Sequence, residues 1–388
     1  MARRPRRSRD GVPLEAFTEA LTEIAPPSLA EPWDNAGMIV AGDRPTIAGA
    51  MLAIDLTDAV MDEAIERDVD AIIAYHPPIF DPLRRLDDAS TSARVARRAA
   101  REGILVWSPH TALDAAPGGV NDWLVRLAGE GNVEPLRTAT SQRPREAFKI
   151  VTFAPAASID AVREAMSSAG AGRIGAYASC SFVTDGVGTF HGGKDAKPRV
   201  GRRGRLERVP EQRLEMVCGE RELPAAIAAL RQAHPYEEPP IEIHPLRAVP
   251  RTDAGAARVI ELARPATLGS IASRILRALR LPRIDLAEPR PAGRGRRTIH
   301  RLAACAGSGG GLLDPARDAG CEAFLTGELS HHKVLAATSK GMAVLLTGHS
   351  ESERGYLPVL ARRLRAMLPG VELIVSRADR PPLRAVTR

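Results

Sequence analysis

Apolar positions along this chain alternate between short unbroken runs and stripes of helical period. Leu14, Phe17, Leu21 and Ile24 recur every three to four residues and predict a helix, which Pro26-Pro27 ends. Apolar runs at 38–40 and 50–54 predict strands, and a helix is expected over 58–67. Runs 71–74 and 104–107 are wholly apolar, as parallel strands buried on both faces are, with a helix between them at 92–101. The same texture returns late in the chain. Strands are predicted at 259–262, 302–306, 323–325 and 343–346, and Leu268, Ile271, Ile275 and Leu279 line one face of a helix.

Between these parts the pattern changes. Strands at 149–154, 214–217 and 241–244, helices at 159–169 and 223–232, and a glycine-rich stretch at 175–193 fit a β-α-β-β-α-β order. The predicted class is therefore α/β: two pseudo-repeated α/β lobes with an inserted ferredoxin-like α+β domain. The expected boundaries are a disordered basic tail at 1–12, a first lobe at 13–144, the inserted domain at 145–247 and a second lobe at 248–388.

The residues that end the apolar runs carry the chemistry. Pro77-Pro78 stops one strand and leaves His76 at its C-terminal end, where open α/β sheets place their ligands. A second run leads to His110, with Asp114 four residues on. The run at 343–346 leads through Thr347-Gly348 to His349, and Glu353 follows one helical turn later. Imidazole nitrogen with carboxylate oxygen suits zinc, manganese or iron. Two facing lobes would pool His76, His110 and Asp114 with His349 and Glu353. Ser350 and Glu353 also spell a helix capping box, and both readings stand at this point. Trp33, Asp34 and Asn35 read as a turn with one aromatic anchor. His234 and Glu237, with prolines on both sides, predict a rigid turn in preference to a ligand pair. The glycine loop at 307–311 offers backbone N–H groups to a phosphate but lacks both the Walker A and the dinucleotide spacing.

Composition narrows the partners. The 388 residues are 44% hydrophobic, enough for two or three cores, and no apolar run approaches the length of a membrane span. The basic start has no apolar segment behind it, so it reads as a tail and not a secretory signal. The net charge of +7 comes from arginines scattered among acidic residues, and aromatic residues are only 4%, which argues against nucleic acid. Cys180, Cys218, Cys305 and Cys321 show no C-x-x-C spacing; buried thiols and a cytoplasmic location are expected.

Five ordered motifs then carry a resemblance: W-D-N-A-G at 33–37, Y-H-P-P-I-F at 75–80, H-T-A-L-D-A-A-P-G-G-V-N-D at 110–122, T-G-E-L-S-H-H at 326–332 and G-H-S-E-S-E at 348–353. They resemble the NGG-one-interacting-factor-three-like family, also known as GTP cyclohydrolase I type 2 homologues or dinuclear-metal-centre hexameric proteins. The middle segment resembles the PII/CutA-like domain of the family's longer members. The resemblance implies a toroidal homohexamer with a two-metal site in each subunit, holding one or two zinc, manganese or iron ions. Glu353 would bridge the metals, His76 and Asp114 would complete one site, and His349 would serve the other. The family's first histidine of H-H-P is Tyr75 here. That departure predicts weak occupancy of the second site or a phenolate-bound ferric ion, with His110 as a substitute ligand. The implied activity is metal-dependent hydrolysis of a nucleotide or phosphoester-like small molecule. Glu328 and His331 are the candidates for proton transfer, and Trp33, Asp34 and Asn35 for substrate contact. The competing readings are a non-enzymatic metal carrier or regulatory scaffold and, third, a toroidal DNA-binding protein.

Overall fold

The structure is a computed structural model that describes residues 11–141, 146–196, 199–247, 249–289 and 297–383. Most of the expected basic tail lies outside them. The described residues up to Ala139 and from Arg251 onward form one compact unit, and those from Thr140 to Pro250 form another.

Two sheets organise the first unit. One has five strands in the order Glu372–Val375, Gly49–Ala53, Ala71–Ala74, Leu105–Ser108 and Gly37–Val40. The first four run parallel, and Gly37–Val40 closes the edge antiparallel to Leu105–Ser108. Gly49–Ala53, Ala71–Ala74 and Leu105–Ser108 are buried at every position, which is why their sequences show no polar alternation. The other sheet has six strands in the order Asp285–Ala287, Ala343–Leu346, Ala323–Thr326, Thr298–Cys305, Val249–Thr267 and Gly131–Ser141. Its strands Thr298–Cys305, Ala323–Thr326 and Ala343–Leu346 run parallel.

The two sheets exchange strands. Glu372–Val375, from the end of the chain, pairs with Gly49–Ala53, whereas Gly131–Ser141 leaves the early part to join the later sheet. The lobes are therefore not consecutive stretches of sequence. One continuous apolar cluster includes Ile54 and Ile73 of the first sheet region with Ile260, Leu302, Leu325 and Leu345 of the second. Arg258, only 1% exposed, ties them further. Its guanidinium donates to the carbonyls of Ala115 and Ala116 at 3.0 Å and pairs with Asp122 at 3.0 Å. The tail end is pinned as well: Glu63 accepts from Ser376, Arg377 and Ala378, and Asp379 accepts from the Ile54 N–H at 2.7 Å.

The second unit contains a four-stranded antiparallel sheet in the order Ile241–Pro245, Phe148–Ala154, Leu206–Cys218 and Phe182–His191. Helices Ala156–Ser168 and Leu223–Ala233 supply Val162, Met166 and Leu230 to its core against Ile150, Leu214 and Met216. The β-α-β-β-α-β order is that read from the sequence, and the glycine-rich stretch supplies the strand Phe182–His191. His234 is the middle of a closed turn: one ring nitrogen lies 3.0 Å from the Phe153 carbonyl and the other accepts the Tyr236 N–H at 3.1 Å. Both nitrogens are used, so His234 is no metal ligand here.

All four cysteines are free; Cys218 and Cys321 are buried and Cys180 and Cys305 only partly so, which bears out the expectation of buried thiols in full for two of them. Cys180 sits in a turn of the second unit. Cys305 ends a strand whose next residues open into the site. Among the described residues no helix is long and apolar enough to cross a membrane.

Candidate metal centre

The C-terminal ends of the parallel strands in both sheets deliver the site. Ala71–Ala74 leads into Tyr75-His76, Leu105–Ser108 into His110, and Gly49–Ala53 into Asp55. From the other sheet, Thr298–Cys305 leads into Gly307, Ala323–Thr326 into Glu328, and Ala343–Leu346 into His349. In open α/β sheets the residues just past the carboxyl ends of the parallel strands line the ligand crevice. Here two such edges face one cavity of about 340 Å³, lined by Trp33, His110, Asp114, Arg137, His349 and Glu353 among others.

Three groups meet closely. Ligand atoms of His76, His349 and Glu353 all lie within 4.8 Å of one another. His76 Nε2 is 3.4 Å from Glu353 Oε2, and His349 Nε2 is 3.5 Å from Glu353 Oε1. Glu353 is 3% exposed, and its Oε2 has no hydrogen-bond partner. Leaving a buried carboxylate oxygen unpaired is costly, and a cation between the carboxylate and the two imidazoles removes that cost. The donor set, two neutral nitrogens and a carboxylate, is a fit for zinc, manganese or iron. The capping-box alternative fails, because Ser350 makes no cap hydrogen bond and the helix Glu351–Arg354 is a single turn.

Each imidazole is oriented by a carboxylate on its far nitrogen. Nδ1 of His76 lies 2.9 Å from Asp55, Nδ1 of His349 lies 3.0 Å from Glu328, and Nδ1 of His110 lies 2.6 Å from Asp34. This is the support that metal-binding histidines ordinarily have; it fixes the tautomer and leaves Nε2 for the ion. Asp55 was visible in the sequence as the polar end of a strand, but nothing there marked it as the partner of His76. Burial lowers the pKa of the His76 imidazolium, yet the Asp55 bond and the nearby Glu353 carboxylate outweigh burial and lift it to about 10. Backbone geometry closes the pocket. Gly307, at φ +62°, passes so near that an added Cβ would sit 2.7 Å from Glu353 Oε1 and 3.1 Å from His349 Nε2. Only glycine fits that crossing.

The other corner is built differently. The Tyr75 hydroxyl donates to Asp114; Tyr75 is buried, and Asp114 is partly buried at the cavity wall. Burial and the neighbouring Asp114 charge push the Tyr75 phenol well above its ordinary range. Burial also raises the Asp114 carboxyl to about 6, partly offset by the Tyr75 bond. Asp114 and His110 line the cavity but do not join the close group of ligand atoms. His110 has φ +27°, a backbone conformation non-glycine residues rarely adopt, held by Asp34 on its ring.

The remaining candidates fall at different distances from this chemistry. Asp34 and Asn35 are occupied by structure: Asp34 accepts from Thr111 N at 3.1 Å and Oγ1 at 2.5 Å as well as from His110, and Asn35 donates to the Ile79 carbonyl at 2.6 Å. Trp33 keeps its indole in the cavity mouth. Glu328 is engaged with His349. His331 is exposed at the start of helix His331–Ser339, where its ring packs against His332.

The profile of the Duf34/NIF3 (NGG1p interacting factor 3) family matches residues 12–382. The chain belongs to that family. It is 30% identical over 361 residues to the GTP cyclohydrolase 1 type 2 homolog of Halalkalibacterium halodurans, covering 92% of this chain and 95% of that protein. It is 33% identical over 387 residues to NIF3-like protein 1 of Rattus norvegicus, covering 98% and 94% respectively. Among solved structures, the Bacillus cereus protein related to NIF3 superposes with a TM-score of 0.68 at 28% identity, covering 97% of this chain and all of that one.

Proposed function

We propose that this protein is a metal-dependent hydrolase of nucleotide or phosphoester-like small molecules, with its primary ion held by His76, His349 and Glu353. The observation that carries the reading is the unpaired, buried Oε2 of Glu353 between two imidazoles whose far nitrogens are already held by carboxylates. A Lewis-acidic ion there supplies a water whose pKa is lowered toward neutrality and polarises a substrate oxygen. The chain's own groups do the rest. Asp55 and Glu328 keep His76 and His349 in the metal-binding tautomer. His110, fixed through Nδ1 by Asp34, presents Nε2 as an acceptor for a substrate or water proton. Glu328 stays with His349, which makes it an orienting group in this reading and leaves proton transfer to His110. The name carried by the Halalkalibacterium relative, a GTP cyclohydrolase 1 type 2 homolog, agrees with a nucleotide as substrate class.

A second reading, a metal carrier or regulator, is favoured by the Tyr75–Asp114 corner, where one of the family's imidazoles is missing. In both readings the chain works as a homohexamer, testable by its mass in solution. Hydrolysis across a panel of nucleotides and phosphoesters separates the two. The hydrolase reading expects turnover by the metal-loaded protein and none by Glu353→Ala. Full metal loading with no turnover on any substrate favours the carrier.

A further inference from the structure

Beside the metal cavity, two large aromatic side chains stand in solvent with no apolar cover. Trp33 is 61% exposed and Phe80 is 53% exposed. Their ring centroids are 6.0 Å apart, and each meets the His110 ring edge-on, at 6.1 Å and 6.4 Å. Single exposed apolar residues need no explanation, but this pair is held in place with unusual care. The Glu31 N–H donates to Thr111 Oγ1 at 3.0 Å, and the Asp34 N–H closes a turn onto the Glu31 carbonyl at 2.9 Å. The Asp34 carboxylate is clamped by His110 and Thr111, with its side chain fully buried. Asn35 then ties this loop to the Phe80 loop through the Ile79 carbonyl at 2.6 Å. The backbone on both sides of Trp33 is thus fixed while the indole itself is left open. Fixing an aromatic face in advance lowers the entropy cost of stacking a ligand on it.

From this we propose that the Trp33 indole is a stacking platform, flanked by Phe80 tilted 56° to it, for the heteroaromatic ring of a nucleotide whose phosphate end lies in the metal cavity. The proposal rests on the hydrolase reading for the cavity and adds the recognition of the base. A nucleotide is favoured over a plain arene by the polar remainder of the cavity. Trp33 shares that cavity with Arg137, Asn121, Ser308 and Gly311. The Lys333 ammonium lies against the same glycine loop, only 2.4 Å from where a Cβ on Gly310 would be. Stacking platforms accept any base, because every base has a π-face.

The test uses the full chain, zinc-loaded and chelator-stripped, with adenosine 5′-monophosphate, adenosine and ribose 5-phosphate as probes. Adenosine 5′-monophosphate and adenosine should quench tryptophan emission, and Trp33→Phe should abolish the quenching. By calorimetry, Trp33→Ala and Phe80→Ala should each weaken adenosine 5′-monophosphate about tenfold and leave ribose 5-phosphate unchanged. Adenosine should still quench the stripped protein, so a failed metal site does not hide the platform. The proposal is overturned if no ring-bearing probe binds up to millimolar concentration. It is also overturned if both alanine variants keep wild-type affinity for adenosine 5′-monophosphate, including the case in which they change only the mass of the oligomer and so reveal a contact between copies.

Discussion

The two corners of the metal cavity are made from the same kinds of residue but are not equivalent. At one, His76, His349 and Glu353 bring their ligand atoms within 4.8 Å, and the buried carboxylate oxygen has no protein partner. At the other, Tyr75 and Asp114 satisfy each other, and His110 stands apart with Asp34. The first corner could hold a cation, whereas the second is closed by a hydrogen bond. The phenol at position 75 sets the contrast. A phenol at position 75 donates to the carboxylate, where a neutral imidazole could have turned an acceptor nitrogen toward a second ion.

That contrast can be attacked in order of expected effect. Glu353→Ala removes the one carboxylate that faces both imidazoles, and purified protein should then retain essentially no metal by elemental analysis. Retention of wild-type metal would move the ion elsewhere. Next, Arg258→Met breaks a buried ion pair with Asp122 and frees the carbonyls of Ala115 and Ala116, at the end of the helix that carries Asp114. Leaving such partners buried and unpaired costs about 3–5 kcal/mol. Thermal unfolding should show a large drop in Tm, with the His76 corner still binding metal in the surviving folded protein.

Smaller effects distinguish the orienting carboxylates. Asp55→Asn should weaken metal binding by about 10–100-fold, the ordinary cost of losing such a support. Asp34→Asn, which touches His110 and Thr111 but none of the three close ligands, should leave affinity for the first ion nearly unchanged while impairing any turnover. Equal losses of metal affinity in the two variants would erase the distinction between the corners. The smallest effect is a pH dependence of the metal-free protein. His76 is raised from 6.5 to about 10, so the stabilisation its charge gains from Asp55 and Glu353 is fully present below pH 6.5 and is lost as pH rises through about 10. Tm should fall by a few degrees over that window, and His76→Gln should flatten the profile.

Much of this was legible in the sequence because the parallel strands are buried on both faces. Ala71–Ala74 and Ala343–Leu346 are wholly apolar, so the polar residue that ends each run stands out, and those residues are His76 and His349. The strand exchange was not legible. Glu372–Val375 looks like any short apolar run, and its partner Gly49–Ala53 lies more than 300 residues earlier. The strand Val249–Thr267 was seen only in its central part, since Arg251, Asp253 and Arg258 interrupt its apolar pattern. Arg258 is nonetheless buried, because carbonyls and Asp122 from distant segments satisfy it. The pairing of His110 with Asp34 and of His76 with Asp55 spans 76 and 21 residues, and no local pattern encodes it. The tyrosine at position 75 stands out in the sequence, but its closed bond to Asp114 depends on how the fold brings positions 75 and 114 together.

The hydrolase and carrier readings alike expect one strong ion site at His76, His349 and Glu353 and none at Tyr75, whose hydroxyl is taken by Asp114. Metal analysis of wild type and Tyr75→His, each purified without added metal and then titrated with zinc, tests it most directly. One tightly held ion per chain is expected in wild type, and a second in Tyr75→His. Two tightly held ions in wild type, or one in both proteins, would contradict it.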